Sequence, residues 1–153
     1  MTDFEKRLGE LFIELPEVPK TAAGVVASVL ADKLLHVGMH LPYSAGKMAF
    51  KGRLGVEVTL DQGKLAARHA LLFCLSAIRQ SVGSLNKIKN FIQLQGFVAS
   101  GGDFLDHDRV LESASKLLED IFGPAGKHTR IAVGVNQLPQ NASVALSMIV
   151  AVK

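Results

Sequence analysis

Apolar residues recur at helical spacing near the start of the chain, at Phe4, Leu8, Leu11, Phe12 and Leu15, and the run stops at Pro16 and Pro19. This pattern predicts a short amphipathic helix laid over another part of the molecule. From Thr21 to Leu41 the texture changes to β-branched and apolar, with Gly24-Val25-Val26 and Leu34-Leu35-His36-Val37 either side of Ala31-Asp32-Lys33. Two antiparallel strands joined by a tight turn are predicted there. Residues 42–55 hold three glycines with Lys47, Lys51 and Arg53, which reads as loop with room for a short edge strand.

Thr59-Leu60-Asp61-Gln62 is a capping box, in which the Thr59 hydroxyl takes one orphan amide and Gln62 reaches back to another. The helix it opens carries a core stripe of Ala67, Leu71, Cys74, Ile78 and Val82, and Gly83 supplies a left-handed stop. Cys74 lies on that stripe and reads as a buried small hydrophobe rather than a nucleophile. Residues 88–99 read as a buried strand. A second helix opens near Asp106, places Val110, Leu111, Ala114, Leu117, Leu118 and Ile121 on one side, and ends at Gly123-Pro124.

The last segment alternates twice. Ile131, Val133 and Val135 interleave with Ala132, Gly134 and Asn136; after Leu138-Pro139-Gln140-Asn141, Val144, Leu146, Met148, Val150 and Val152 interleave with smaller residues. The pattern predicts a β-hairpin whose large face packs on the helices. Its other face would hold Arg130 with Ala132, Gly134, Ala145 and Ser147. Small residues leave that face without the polar cover of a solvated sheet, so a second copy of the chain is expected against it. The order β-β-α-β-α-β-β predicts an α+β layer fold, a mixed sheet with two helices on one face. Residues 1–153 form one domain, with 1–16 as an N-terminal helical extension.

Composition narrows the function without naming it. Hydrophobic residues are 48% and charged residues 20% of 153, with mean hydropathy +0.27, which excludes a disordered chain. A single cysteine excludes a disulfide framework. Asp3 and Glu5 stand where a secretion signal needs positive charge, and no apolar run approaches a bilayer span, so a cytoplasmic location is expected. Ala45-Gly46-Lys47 ends like a phosphate-binding loop, but Leu41 replaces its first glycine and Met48 its hydroxyl residue. His36 and His40 stand two strand periods apart and would share a face, yet no third ligand lies nearby; neither metal nor cofactor is expected. Asp103, Asp106 and Asp108 sit at a helix N-terminus, where carboxylates favour the dipole. Lys47, Lys51 and Arg53 are the one local basic group and aromatics are 6%, poor equipment for nucleic acid. Arg130 is sharper, because it opens a strand of Ile, Ala, Val and Gly. Its guanidinium fork matches a carboxylate in two parallel hydrogen bonds. A structural salt bridge at a sheet edge fits the same residue, and the sequence leaves both open.

Across almost its whole length the chain resembles the YjgF/RidA (reactive intermediate deaminase) superfamily, which older usage labels endoribonuclease L-PSP. The most specific stretch is Arg130-Ile131-Ala132-Val133-Gly134-Val135-Asn136-Gln137-Leu138-Pro139, an arginine opening a strand that leads to Leu-Pro. Ile13-Glu14-Leu15-Pro16, Lys51-Gly52-Arg53-Leu54-Gly55 and Gly96-Phe97-Val98-Ala99-Ser100 point to a divergent branch with an extra N-terminal helix. The resemblance implies a chorismate-mutase-like fold that trimerises through its sheets, with a ligand cleft at each subunit interface. It implies that Arg130 clamps the carboxylate of a small metabolite, a 2-imino or 2-enamino acid in deaminating members, with Gly134 beside it. The family glutamate that positions water is matched by Ala145, and a Ser-Gly pair lining the cleft by Gly38-Met39, followed by His40. A family tyrosine falls at Val25 and an asparagine at Glu112. The carboxylate anchor is kept while most of the polar site is replaced, which implies binding with weak or altered deaminase activity. A full imine deaminase using His40 or Glu112 is the alternative, and ribonuclease activity a third reading.

Overall fold

The computed structural model describes residues 2–153. Helix α1 spans Phe4–Glu10 and is shorter than the sequence spacing predicts. The Phe12 amide donates to the Gly9 carbonyl (3.0 Å) and the Ile13 amide to that of Leu8 (2.9 Å), while Phe12 turns to φ 57°. That pair of bonds is a Schellman closure, made here without the usual glycine. Phe4 and Leu8 are therefore buried, whereas Phe12 is 95% exposed.

Strand β1 (Ser28–Ala31) and β2 (Leu34–His40) form the predicted antiparallel pair about Asp32 and Lys33. Val25 and Val26 fall outside it and are exposed. β3 (Tyr43–Ser44) and β4 (Lys47–Met48) make a separate two-stranded ribbon rather than an edge strand. Helix α2 (Leu60–Val82) begins with the predicted capping box and stops at Gly83, φ 91°. Strand β5 (Ile88–Ala99), helix α3 (His107–Phe122), β6 (Thr129–Val135) and β7 (Val144–Val152) complete the chain.

The main sheet runs β1-β2-β7-β5-β6, antiparallel except for the β5–β6 pair. β6 and β7 are therefore not a hairpin. β5 lies between them, and the Leu-Pro segment carries the chain across its end. Register then decides which side chains share a face. Val37, Met148, Leu94 and Arg130 form one cross-strand row, and Leu146, Gly96 and Ala132 another. These rows meet α2 and α3, where Leu71, Cys74, Ile78, Leu111 and Leu118 are fully buried. The opposite rows, Val29-His36-Ile149-Gln93-Thr129 and Ala145-Phe97-Val133, face away from the helices.

The predicted faces thus hold for β7 and are reversed for β6. Arg130, Ala132 and Gly134 point toward the helices, and Ile131 and Val133 lie on the open face, 41% and 39% exposed. The reason is steric. A Cβ on Gly96 would lie 2.5 Å from Leu111 Cδ2, and one on Gly134 would run into the His107 ring. Opposite Leu111 and His107 helix α3 lies so close to β5 and β6 that Gly96 and Gly134 leave no room for a side chain, so along this part of the edge strand small size marks the helix-facing side.

Candidate functional site

A cleft of about 840 Å³ opens between residues 14–21, the end of β2 and one flank of α2. Gly38, Met39 and His40 line it, joined by Tyr43, His69 and Phe73. The Tyr43 hydroxyl donates to Gln140 Oε1, which ties the β3–β4 ribbon to the Leu-Pro turn. Val25 stands at the mouth. A bulge in β2 between Val37 and His40 sets this arrangement. Regular alternation would put His40 beside the exposed His36, as the spacing predicts; the bulge turns it inward instead, where it is 8% exposed. The two histidines therefore share no face. Among the described residues no group of three His, Cys, Asp or Glu is placed to hold a metal ion.

Burial holds the pKa of His40 below the ordinary imidazole value, against an opposing hydrogen bond to the Ala27 carbonyl. Burial also lowers His69, helped by the Arg68 charge. Both rings take up a proton less readily in the folded chain than in the unfolded one. Below about pH 6.5 the unfolded state binds more protons, so stability falls as pH drops through that value and is fully present above it. Melting temperature is therefore expected to be level from pH 8 to 7 and to decline toward pH 5, with His40→Leu flattening part of the decline. Identical profiles for the two proteins would refute the contribution of His40; His69, half in solvent, adds less.

Arg130 sits elsewhere. β7 and β5 separate β2 from β6, about 14 Å at ordinary strand spacing, so one protomer does not bring Arg130 to Gly38, Met39 and His40. Its guanidinium bonds two groups on α3, donating from Nη1 to Ser115 Oγ (3.1 Å) and from Nη2 to Asp108 Oδ1 (3.2 Å). Ser115 in turn lies 2.8 Å from His128 Nε2. The Arg130 side chain keeps 24% exposure, while that of Asp108 is 76% exposed. Gly134 lies against His107 and Ser100, whose own contact is 3.0 Å. Ala145 is fully buried, and Glu112 is exposed on α3.

Sequence reasoning missed His69 and Phe73 in the cleft and Asp108 and Ser115 around Arg130. His69 and Phe73 are four apart on the flank of the α2 stripe, a pairing the core pattern left unexplained. Asp108 and Ser115 are seven apart on α3, which puts them one above the other. Cys74 is fully buried, as expected: its thiol contacts the Leu146 carbonyl at 3.6 Å and burial pushes its pKa far up. No helix among the described residues is long and apolar enough to cross a membrane.

Comparison with known proteins agrees with this architecture. Protein TCP17 of Trypanosoma cruzi is 35% identical over 144 residues, 94% of this chain and 90% of that protein. The crystal structure of Atu1372 from Agrobacterium tumefaciens superposes with a TM-score of 0.91 at 36% identity, over 98% of this chain and 92% of that one. A structure named a "putative endoribonuclease" from Shewanella oneidensis gives 0.94 at 29% identity, over 99% and 100%. Residues 5–152 match the family described as "YjgF/chorismate_mutase-like, putative endoribonuclease". With its sheet order, its layer of helices and nearly its entire length in agreement, the chain belongs to the YjgF/chorismate-mutase-like family.

Proposed function

We propose that the protein is a RidA-like homotrimer that binds a small carboxylate metabolite in clefts between subunits, with weak or altered activity toward 2-imino and 2-enamino acids. The observation that carries this reading is the state of Arg130. In the free chain its fork already holds a carboxylate, that of Asp108, whose exposed side chain is free to yield to another. The open face of the sheet, with Val29, Ile131 and Val133 exposed, supports assembly, because apolar surface of that kind asks for a partner. Because β6 and β2 are three strands apart in one chain, a neighbouring subunit would have to supply the arginine that meets Gly38, Met39 and His40. Ala145, where the family resemblance expects a glutamate, removes a water-positioning carboxylate. Loss of a general acid-base group costs about 10²–10⁴-fold in rate.

The test combines assembly, binding and turnover. Native mass spectrometry at micromolar concentration is expected to show a trimer, and 2-hydroxybutanoate to raise the melting temperature of wild type. Arg130→Ala should weaken that ligand about 10–100-fold, the loss of one or two hydrogen bonds to a charged group. Freshly generated 2-aminoacrylate, with spontaneous hydrolysis subtracted, should be turned over slowly. Rapid turnover would favour the imine-deaminase alternative, with His40 or Glu112 in the proton-transfer role. A stable monomer, or stabilisation unchanged in Arg130→Ala, would overturn the reading.

A further inference from the structure

Beside the cleft lies a smaller recess of about 350 Å³, lined by Tyr43, Gly46, Lys47, Met48, Lys51 and Gln140. It shares Tyr43, Gly46 and Gln140 with the cleft as a common wall. Two loops build it, and three bonds hold them. The Tyr43 hydroxyl donates to Gln140 Oε1, the Gly52 amide to the Asn141 carbonyl (2.9 Å) and the Ala49 amide to the Pro42 carbonyl (2.8 Å). Ala45 and Gly46, both at positive φ, make the tight turn between β3 and β4. Phe50, Gln140 and Asn141 are left-handed as well, at φ 55°, 59° and 59°. With Ala45 they are four of the six non-glycine residues at positive φ among the described residues. Such backbone is costly without glycine, and it gathers where loops are held in one shape to meet a ligand.

The charge of the recess is one-sided. Its lining holds two lysines and no carboxylate. Lys47 and Lys51 are exposed, and neither makes an ion pair among the described residues. Gln140 is exposed too, and with Oε1 engaged by Tyr43 its side chain has the two N–H groups of Nε2 left to offer. Two cations and an amide donor on one preformed wall complement an anion. Lysine is a compact point charge without the planar fork of arginine, which suits a tetrahedral oxyanion better than a flat carboxylate. We propose that the recess is a subsite for the phosphate group of a phosphate monoester, held by Lys47, Lys51 and Gln140 Nε2, with the ester group lying over the common wall toward Leu72 and Phe73 of the cleft. Ala45-Gly46-Lys47, which lacks the flanking residues of a phosphate-binding loop, then meets phosphate through side-chain charge rather than through a cradle of amides. The subsite lies within one chain and depends neither on Arg130 nor on the trimer, so it goes beyond the carboxylate reading above.

The experiment titrates the full ¹⁵N-labelled chain, at constant ionic strength, with inorganic phosphate, phenyl phosphate and benzoate. Inorganic phosphate should move the amides of Gly46, Lys47 and Lys51 and the Gln140 side-chain amide in a saturable way. Phenyl phosphate should bind about 3–10-fold more tightly, the worth of partly burying its ring, and should also move Leu72 and Phe73. Benzoate should leave the recess unmoved. Lys47→Gln and Lys51→Gln should each weaken phosphate about 5–10-fold at unchanged melting temperature, and Arg130→Ala should not weaken it. Phosphate binding kept in Arg130→Ala, whatever becomes of 2-hydroxybutanoate, supports the subsite separately from the carboxylate anchor. Binding lost in Arg130→Ala but kept in both lysine variants would overturn it. So would shifts that never saturate, or that the exposed Lys87 and Lys89 match, because these mark general attraction to surface charge. Benzoate moving the recess as strongly as phenyl phosphate would overturn the choice of phosphate over carboxylate, and equal affinity for the two phosphates would overturn the extension into the cleft.

Discussion

Gly96→Val is expected to lower the stability of the protein by about 1–3 kcal/mol, the usual range for forcing methyl groups into a full core. Gly96 is buried in the middle of β5, in register with Leu146 on one side and Ala132 on the other. A Cβ there meets the whole isobutyl group of Leu111, with Cδ2 at 2.5 Å and Cγ at 2.8 Å. Leu111 is itself fully buried, so its side chain has nowhere to swing. The strain should be shared by the pair: Leu111→Ala alone removes packing worth about 2–5 kcal/mol, but the double variant should lose clearly less than the sum. Urea denaturation of the four proteins measures this directly. Strict additivity would mean that α3 lifts off the sheet as a body rather than pressing on Gly96.

Phe4→Ala should be the more damaging single change, about 3–5 kcal/mol if its docking is part of the cooperative unit. The Phe4 ring meets Phe122 edge-on at 4.9 Å, and Phe122 meets Phe91 at 4.7 Å, so three aromatics chain α1 to α3 and the sheet. Polar contacts fix the same helix. Asn86 Oδ1 accepts from the Phe4 amide at 2.7 Å, and Glu5 accepts from the Leu85 amide at 2.8 Å and from Arg79 at 3.2 Å. The chain from α1 runs on through residues 14–21 to one wall of the cleft, so loosening should reach the site. Hydrogen exchange is expected to quicken in α1 and around Phe122 together. A loss below about 1 kcal/mol, with exchange confined to α1, would show an ornament that frays independently.

What the chain revealed in advance follows from how local each signal is. The capping box at Thr59, the stop at Gly83 and the stripe from Ala67 to Ile78 each depend on neighbours within two turns, and all appear as read. The partner of β6 does not. Whether Ile131 and Val133 face inward depends on β5 having been inserted beside them and on α3 lying close above, facts set by residues more than twenty positions away. Size was read as the mark of the helix-facing side, and at Gly96, Ala132 and Gly134 the smallest residues mark that side instead. The site was legible to the same degree. Arg130 stood out because its neighbours are apolar, and His40 was marked by its spacing from His36 and by the family resemblance. Nothing in the two-residue periodicity of β2 announces the bulge that turns His40 inward, and the role of Asp108 as an internal carboxylate for Arg130 needs β6 to fold back along α3 to the helix's first turn, 22 residues away in sequence.

The placement of β7 has a consequence for how the molecule is made. It is flanked by β2 on one side and β5 on the other, so it joins a ribbon formed early in the sequence to a unit formed late. During synthesis β1 and β2 can pair, and β5, α3 and β6 can close upon themselves, but the two halves share no sheet hydrogen bonds until residues 144–152 have emerged. Leu35, Val37 and the inner face of α2 must wait until then with their β7 partners absent. The strand that completes the sheet is the last of its five strands to be made, and the nascent chain is most exposed to chaperones and to its own neighbours in the interval just before it arrives.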